Sequence, residues 1–574
     1  MSRWNDRARI ALTPLRTSLA TALFPTLIAI QVHAAPNPDL QTVRTRLDRA
    51  RAAEDAGRFD EALAAWDSLA TANPYDGNLQ EGIARARLAR HDAPGAVAAW
   101  LKARELGSTP RPQADLEIAR CWMVGGQPDS AMAWIETALA DGYEQRAALY
   151  EDGDFSSIRE SDRFKRLAGR PVGPAPDRNA AWPGDLDFVV AEIKRLHYVY
   201  SKAPLPAPLE SDIAALRRDI PKLTDDAVFA RFERIMAGLG DGHSVLYPVS
   251  DVSGPLQRLP LATYFFADGW YVVGAPPELA GRVGSRIESV GGVPTDVLLA
   301  RLESYMPRDN DMGMLWTGPL MLSFPAMLGV LGAAPDPKAV AVTLVASDGK
   351  NETVTLTPGT AEGHMHVPKL AAPATLGVSP PRWLTRVNDF YWFEDMPDLK
   401  ALYVQCNQVV DKDDESMRDF ALRLRKHIDE THPKHLVIDL RHNNGGNSDR
   451  LIPFIRTAVH FETTTPGGRT WVLIGRNTFS AAQVLANNLD RLTNAMFLGE
   501  PSGSSPNFVG EDTGLRLPNS GYYGSISSRF HQTWNNDDRP WIAPDFAIPL
   551  TSGDYFAGRD PVMEALEDYL RTMP

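Results

Sequence analysis

Two turns in the C-terminal part of the chain carry residue types suited to acyl transfer. One is Arg476-Asn477-Thr478-Phe479-Ser480-Ala481-Ala482, which follows the apolar run Trp471-Val472-Leu473-Ile474. A serine at a helix start faces unpaired first-turn amides and the positive end of the helix dipole, which favour negative charge there. Serine is also a common N-cap, so the residue alone leaves both readings open. The other turn is Asp439-Leu440-Arg441-His442-Asn443-Asn444-Gly445-Gly446-Asn447. Adjacent glycines after a buried strand permit backbone angles closed to other residues, so their amides can point outwards together as an oxyanion site. A glycine pair alone favours an ordinary strand-to-helix turn. Upstream, Leu239-Gly240-Asp241-Gly242-His243-Ser244 offers a histidine in a glycine turn, able to take a serine proton near neutral pH. A lone histidine in such a place is more often structural.

The elements that must position these residues can be read from apolar spacing. Residues 385–574 alternate short apolar runs, at 402–404, 436–440, 471–474 and 496–498, with helical segments at 416–430 and 481–489. That rhythm indicates βα units on a sheet covered by helices, with ligands beyond the carboxyl ends of its strands. Residues 256–375 are strand-rich, with Gly291-Gly292 in a tight turn. Residues 185–255 have helical spacing, for example Phe188, Val189, Ile193 and Leu196, and end in the Asp-Gly-His turn. Residues 171–184 open with Pro171-Val172-Gly173-Pro174-Ala175-Pro176, a linker that cannot continue a helix. Residues 36–170 read as helical repeats. Ala62, Ala96 and Ala131 are spaced 34 and 35 apart, and Trp66, Trp100 and Trp134 recur with them.

The repeats resemble tetratricopeptide repeats, which usually offer a groove to a protein partner. The stretch from Gly284 to Pro294 resembles the end of a PDZ-like domain, either a structural insert or a peptide clamp. Asp-x-Arg-x-Asn-x-Gly-Gly at 439–446, Thr-Phe-Ser-Ala-Ala at 478–482 and Leu-Gly-Glu-Pro-Ser-Gly at 498–503 follow in order. With Asp-Gly-His-Ser at 241–244 and Ala-Pro-Asp at 543–545, they resemble the C-terminal-processing (tail-specific) serine peptidase family over roughly residues 185–574. The resemblance implies a multidomain α/β protein: N-terminal α-helical repeats, a small helical segment, and a crotonase-like βα core with an inserted PDZ-like β-rich domain. It implies Ser480 as nucleophile, with the amides of Gly446 and Ala481 as the oxyanion hole. One branch of the family pairs the serine with a lysine about 25 residues later, but here that position is Ser505 and no lysine follows Lys434. The pattern is closer to the tricorn-core-like Ser/His branch, which implies His243 as base. By count it puts an orienting acid at Asp538, beside Asp537, although Gly242 stands where that pattern has a serine.

Acidic residues outnumber lysine and arginine by 72 to 59, a net charge of −13 that argues against a nucleic-acid partner. No Cys/His cluster suggests a metal, and the two cysteines, Cys121 and Cys406, read as buried free thiols. No cofactor is expected. Residues 1–34 carry Arg3, Arg7, Arg9 and Arg16 before an apolar run from Leu19 to Ile30 and the small-residue site Val32-His33-Ala34. This reads as a signal peptide, too short for a permanent span, which implies a periplasmic or secreted location. The function expected is hydrolysis of a polypeptide substrate. A catalytically silent peptide- or ligand-binding protein on the same fold is the alternative. An esterase-type hydrolase is disfavoured because Thr478 and Ala482 replace the glycines of a Gly-x-Ser-x-Gly elbow.

Overall fold

A computed structural model describes residues 40–173, 177–250, 257–360, 369–372 and 379–572. The signal-peptide segment, the end of the proline linker and parts of the 256–375 insert lie outside the described residues. The chain forms two units, one ending at Leu106 and one beginning at Gly107.

In the first unit four helices, Leu40–Asp55, Phe59–Ala72, Gly77–Ala89 and Ala93–Leu106, each pack on the next. Ala62 and Ala96 are fully buried. A Cβ at Gly82 would fall 2.6 Å from the Trp66 ring, so only glycine lets that helix approach so closely. The second unit begins with another helix pair, Arg111–Val124 and Pro128–Ala140, in which Ala131 is also fully buried. The turn within each pair repeats in conformation. Gly57, His91 and Gly126 all take positive φ, and the next amide bonds to the carbonyl five residues back, at Ala53, Arg87 and Trp122. Those are Schellman C-caps, and His91 accepts the strain that glycine avoids in the other two.

The central sheet of the second unit orders its strands Tyr391–Met396, Ala401–Cys406, His435–Asp439, Arg469–Ile474, Met496–Gly499 and Phe546–Ala547. The first pair is antiparallel and the rest are parallel. Every residue of Ala401–Cys406 and His435–Asp439 is buried, as a sheet covered on both faces requires. Alternate residues divide between two cores. Leu402, Val404, Leu436, Ile438 and Val472 meet the helices Met417–Thr431, Ile452–Thr464 and Ala481–Leu492. Tyr403, Val437, Trp471 and Leu473 meet the C-terminal helix Pro561–Thr572.

The β-rich part is an antiparallel sheet ordered Ala262–Phe266, Gly269–Gly274, Arg286–Val290, Val340–Val345, Asn351–Leu356. Gly291 and Gly292 both have positive φ, 57° and 78°, as a two-residue hairpin turn of the twist-compatible kind needs. The helices Arg178–Leu196, Ala207–Asp219 and Asp225–Ala237 share a core with Leu515, Leu517, Tyr522 and Ile526. Those residues belong to or adjoin a hairpin, Asn507–Arg516 with Tyr522–Gln532, whose free side pairs with the strand Val245–Ser250. That pairing brings the Asp-Gly-His turn onto the C-terminal part of the chain. Cys121 and Cys406 are both buried free thiols.

Candidate active site

Ser480 closes the turn between the strand Arg469–Ile474 and the helix Ala481–Leu492. Its backbone lies at φ 53° and ψ −122°, and its side chain makes no capping bond. Thr224 and Ser416, by contrast, cap their helices from extended angles with a side-chain bond to a first-turn amide. Ser480 is therefore not an N-cap of that kind. Positive φ in a residue with a Cβ costs about 1–3 kcal/mol and persists only where the surroundings over-determine it. Here they do. The Thr478 hydroxyl donates to the Leu440 carbonyl and accepts from Gly475 N, each at 3.1 Å. Phe479 N donates to the Asn443 carbonyl at 3.2 Å, and Gly503 N to the Thr478 carbonyl at 3.0 Å. The two turns that the sequence singles out are thus bonded to one another.

In the glycine turn, Asn443 Oδ1 accepts from Gly445 N at 3.0 Å. Val409 N donates to the Gly445 carbonyl and Asn447 N to the Val409 carbonyl, both at 2.8 Å. Among the described residues, this leaves Gly446 N and Ala481 N without an acceptor. Gly445 faces the serine directly: a Cβ there would fall 2.7 Å from Ser480 Cβ and 3.1 Å from Ala481 N, at φ +119°. Gly445→Ala is therefore expected to displace Ser480 and cost about 1–3 kcal/mol. Thermal melting and labelling by a serine-directed fluorophosphonate check it; a variant that labels at the wild-type rate would show that the turn has slack.

His243 is brought to the residue next to Ser480. Its ring, 6% exposed, stacks on Phe479 with centroids 4.4 Å apart and on Phe508 at 5.4 Å. Neither ring nitrogen has a hydrogen-bond partner, so His243 holds no bond to Ser480. Burial lowers its pKa to about 4, with Asp241 opposing, so the ring is neutral near pH 7. The turn bearing it is pinned by Asp241, whose Oδ1 accepts from His243 N, Ser244 N and the Ser527 hydroxyl at 2.9, 2.6 and 2.6 Å. Asp241 Oδ2 meets His197 Nε2 at 3.0 Å; His197 Nδ1 already accepts from Val199 N and Tyr200 N, so Nε2 carries the proton.

Asp538 is exposed and does not bond to His243. Its turn is bonded by Asn507, whose amide donates to the Trp534 and Asp537 carbonyls, while Asp537 pairs with Arg539. The carboxylate that does reach the histidine turn, besides Asp241, is Asp309. It accepts from Gly242 N at 2.7 Å and from the Ser504 hydroxyl, and burial raises it to about 7. A Cβ at Gly242 would fall 3.0 Å from the Phe479 ring and 3.1 Å from Asp309 Oδ1, so a serine there would crowd both. Asn310 donates from Nδ2 to the Ser502 and Pro540 carbonyls at 3.1 and 2.8 Å. Arg-Asp-Asn-Asp at 308–311 reads as a solvated turn, and no local pattern marks Asp309 as a bridge. Ser505, where a lysine base would stand, donates to the Pro540 carbonyl at 3.0 Å.

Among the described residues no cluster of His, Cys, Asp and Glu could hold a metal ion, and no helix is long and apolar enough to cross a membrane.

No family model and no curated protein matches this chain. Solved structures similar to it include mature CPAF complexed with lactacystin, at 13% identity and a TM-score of 0.45, covering 68% of this chain and 98% of that one. The photosystem II D1 C-terminal processing protease is similar at 16% identity and 0.33, over 65% and 94% of the two chains. The tricorn protease stands at 12% and 0.32, over 69% of this chain and 37% of that one.

Proposed function

We propose that this protein is a serine peptidase that hydrolyses polypeptides through an acyl-enzyme on Ser480. The observation that carries the reading is the strained, uncapped Ser480 beside two amides with no acceptor. A structural serine gains nothing from that conformation, whereas a nucleophile held clear of its own helix does. In the proposed reaction Ser480 Oγ attacks a peptide carbonyl as its proton passes to a ring nitrogen of His243. Gly446 N and Ala481 N donate to the oxyanion, contacts typically worth about 3–4 kcal/mol each. The proton moves to the leaving amine, and water activated by the same histidine releases the acid and restores the serine. The reading gives Asp538 no part. Because His243 is stacked between aromatic rings and unbonded at rest, its bond to Ser480 forms on substrate binding.

The pH profile tests the base. Burial depresses His243, so its inactive protonated form accumulates only below pH about 4. Turnover of a casein-derived fluorogenic peptide is expected to hold from pH 7 to 5 and fall near 4. An acid limb near 6.5 would show a solvated base, and one near 7 would point to Asp309.

One observation favours a second reading, a silent ligand-binding protein: the histidine is not engaged with the serine. Labelling with a fluorophosphonate separates the two. The peptidase reading expects modification at Ser480 that is lost in Ser480→Ala and strongly slowed in His243→Ala; no modification of the wild type would sink it.

A further inference from the structure

The turns bearing Ser480 and His243 come from distant parts of the chain, and a polar bridge that the reaction above does not use joins them. Its middle is Asp309, in the loop at 306–311 before the helix Met312–Met321. Asp309 Oδ1 accepts from Gly242 N at 2.7 Å, and Oδ2 accepts from the Ser504 hydroxyl. Next to Ser504, Gly503 N donates at 3.0 Å to the carbonyl of Thr478, in the Ser480 turn. A Cβ at Gly503 would fall 2.1 Å from the Arg476 carbonyl oxygen, so this loop lies directly on that turn. One path therefore runs from Thr478 through Gly503, Ser504 and Asp309 to Gly242, the neighbour of His243.

The parts of this bridge are themselves anchored. Asn310 is buried; its Nδ2 donates to the Ser502 and Pro540 carbonyls, and its Oδ1 accepts from Met312 N at 2.9 Å. Ile542 N donates to Ser502 Oγ at 2.9 Å, and Ser502 N to the Ile542 carbonyl at 3.2 Å. Trp316, on the helix that follows Asp309, stacks on Phe479 at 5.3 Å, and Phe479 stacks on His243. Asp241, by contrast, ties the histidine turn to His197 and Ser527. The His243 ring holds no hydrogen bond, so its place beside the Ser480 turn rests on ring stacking and on what holds its backbone. A misplacement of about 1 Å at a reacting group can cost about 10²-fold in rate.

We propose that Asp309 is a positioning residue of the peptidase site: it bridges Gly242 to the Ser504 loop and thereby sets the place of His243 beside the Ser480 turn. This role rests on the peptidase reading and gives Asp309 no proton transfer. Burial raises Asp309 to about 7, with Asp241 adding to the shift, so both of its forms occur near neutral pH. The carboxylate accepts both bonds. The neutral acid still accepts from Gly242 N and donates to the Ser504 hydroxyl, which can donate or accept. The bridge thus survives protonation, and it should survive an amide in the same place.

Steady-state kinetics of the full-length protein on the fluorogenic peptide, with fluorophosphonate labelling beside it, test the role. Asp309→Ala is expected to lower kcat by about tenfold or more with KM within about twofold, and Asp309→Asn to restore kcat to within about threefold of wild type. In a His243→Ala background, Asp309→Ala should slow labelling no further, because it acts only through the histidine. Melting curves show which variants are folded. If Asp309→Ala is not, Ser504→Ala breaks the same bridge and should lower kcat by at least about threefold. Unchanged kcat in the folded bridge variant overturns the proposal. So does an equal loss in the His243→Ala background, or a loss in Asp309→Asn as deep as in Asp309→Ala, which would make the carboxylate itself catalytic. A wild type that neither turns over peptide nor labels at Ser480 sinks the peptidase reading and this role with it, whereas an active wild type matched by Asp309→Ala sinks the positioning alone.

Discussion

Ser480→Ala, purified and folded, is expected to lose peptide hydrolysis by roughly 10⁴-fold or more. The loss follows from chemistry rather than packing, because the hydroxyl makes no hydrogen bond whose removal would loosen the turn. The backbone at φ 53° is held by hydrogen bonds of Thr478, Phe479 and Gly503, none of which involves the Ser480 hydroxyl. Alanine bears the same Cβ strain there, so stability should change by less than about 1 kcal/mol. Far-UV circular dichroism and melting would confirm the fold while a fluorogenic peptide reads the activity. Residual activity above a hundredth of wild type would remove Ser480 from the reaction and, with it, the peptidase mechanism proposed above.

Arg441→Met is expected to cost about 3–5 kcal/mol of unfolding free energy. Arg441 lies just past the strand His435–Asp439, four positions before Gly445. Its guanidinium bonds Asp439 at 2.6 Å and Asp560 through two bonds of 2.8 Å, and it sits over the Trp383 ring. Side-chain exposure is 9% for the arginine and 1% and 6% for the two acids, so water cannot replace the lost cation. Burial pushes Asp439 up, and Arg441 and the Tyr403 hydroxyl hold it below its usual range. Without the arginine, two carboxylates remain buried and one must take up a proton. Urea unfolding measures the loss, and the double variant Arg441→Met/Asp560→Asn should regain a substantial part of it by removing one stranded charge. A single-variant cost below about 1 kcal/mol would mean that the site relaxes or hydrates.

The βα rhythm of the C-terminal part was legible because a sheet covered on both faces needs continuous apolar strands. The runs near 402, 436, 471 and 496 became the strands Ala401–Cys406, His435–Asp439, Arg469–Ile474 and Met496–Gly499. Helix boundaries were read less well. The segment expected at 481–489 runs to Leu492, because the helix continues through Asp490, Arg491 and an exposed Leu492 that need no place in the core. The repeat period was visible in alanines, yet its conformational mark, a left-handed residue at 57, 91 and 126, was obscured where His91 replaces glycine.

At the site, Ser480 and the Gly445-Gly446 turn were legible because their chemistry is local: both follow strands that lie side by side in parallel. The serine's two readings were separated only by its backbone angles, which hydrogen bonds from 440 and 443 impose. His243 stands 237 residues before Ser480, and its approach depends on the strand Val245–Ser250 joining a hairpin from the far end of the chain. Asp538 was reached by counting, and it stands exposed in a turn bonded by Asn507 and Arg539. Asp309 escaped notice because an acid in a polar turn looks solvated until another loop buries it. Local periodicity and turn chemistry thus determined the elements and the place of Ser480 among them. Burial, ring stacking and long-range hydrogen bonds decided Ser480's strain, His243's neutral and unbonded ring, and the carboxylates that hold its turn, because these arise only where distant segments exclude water together.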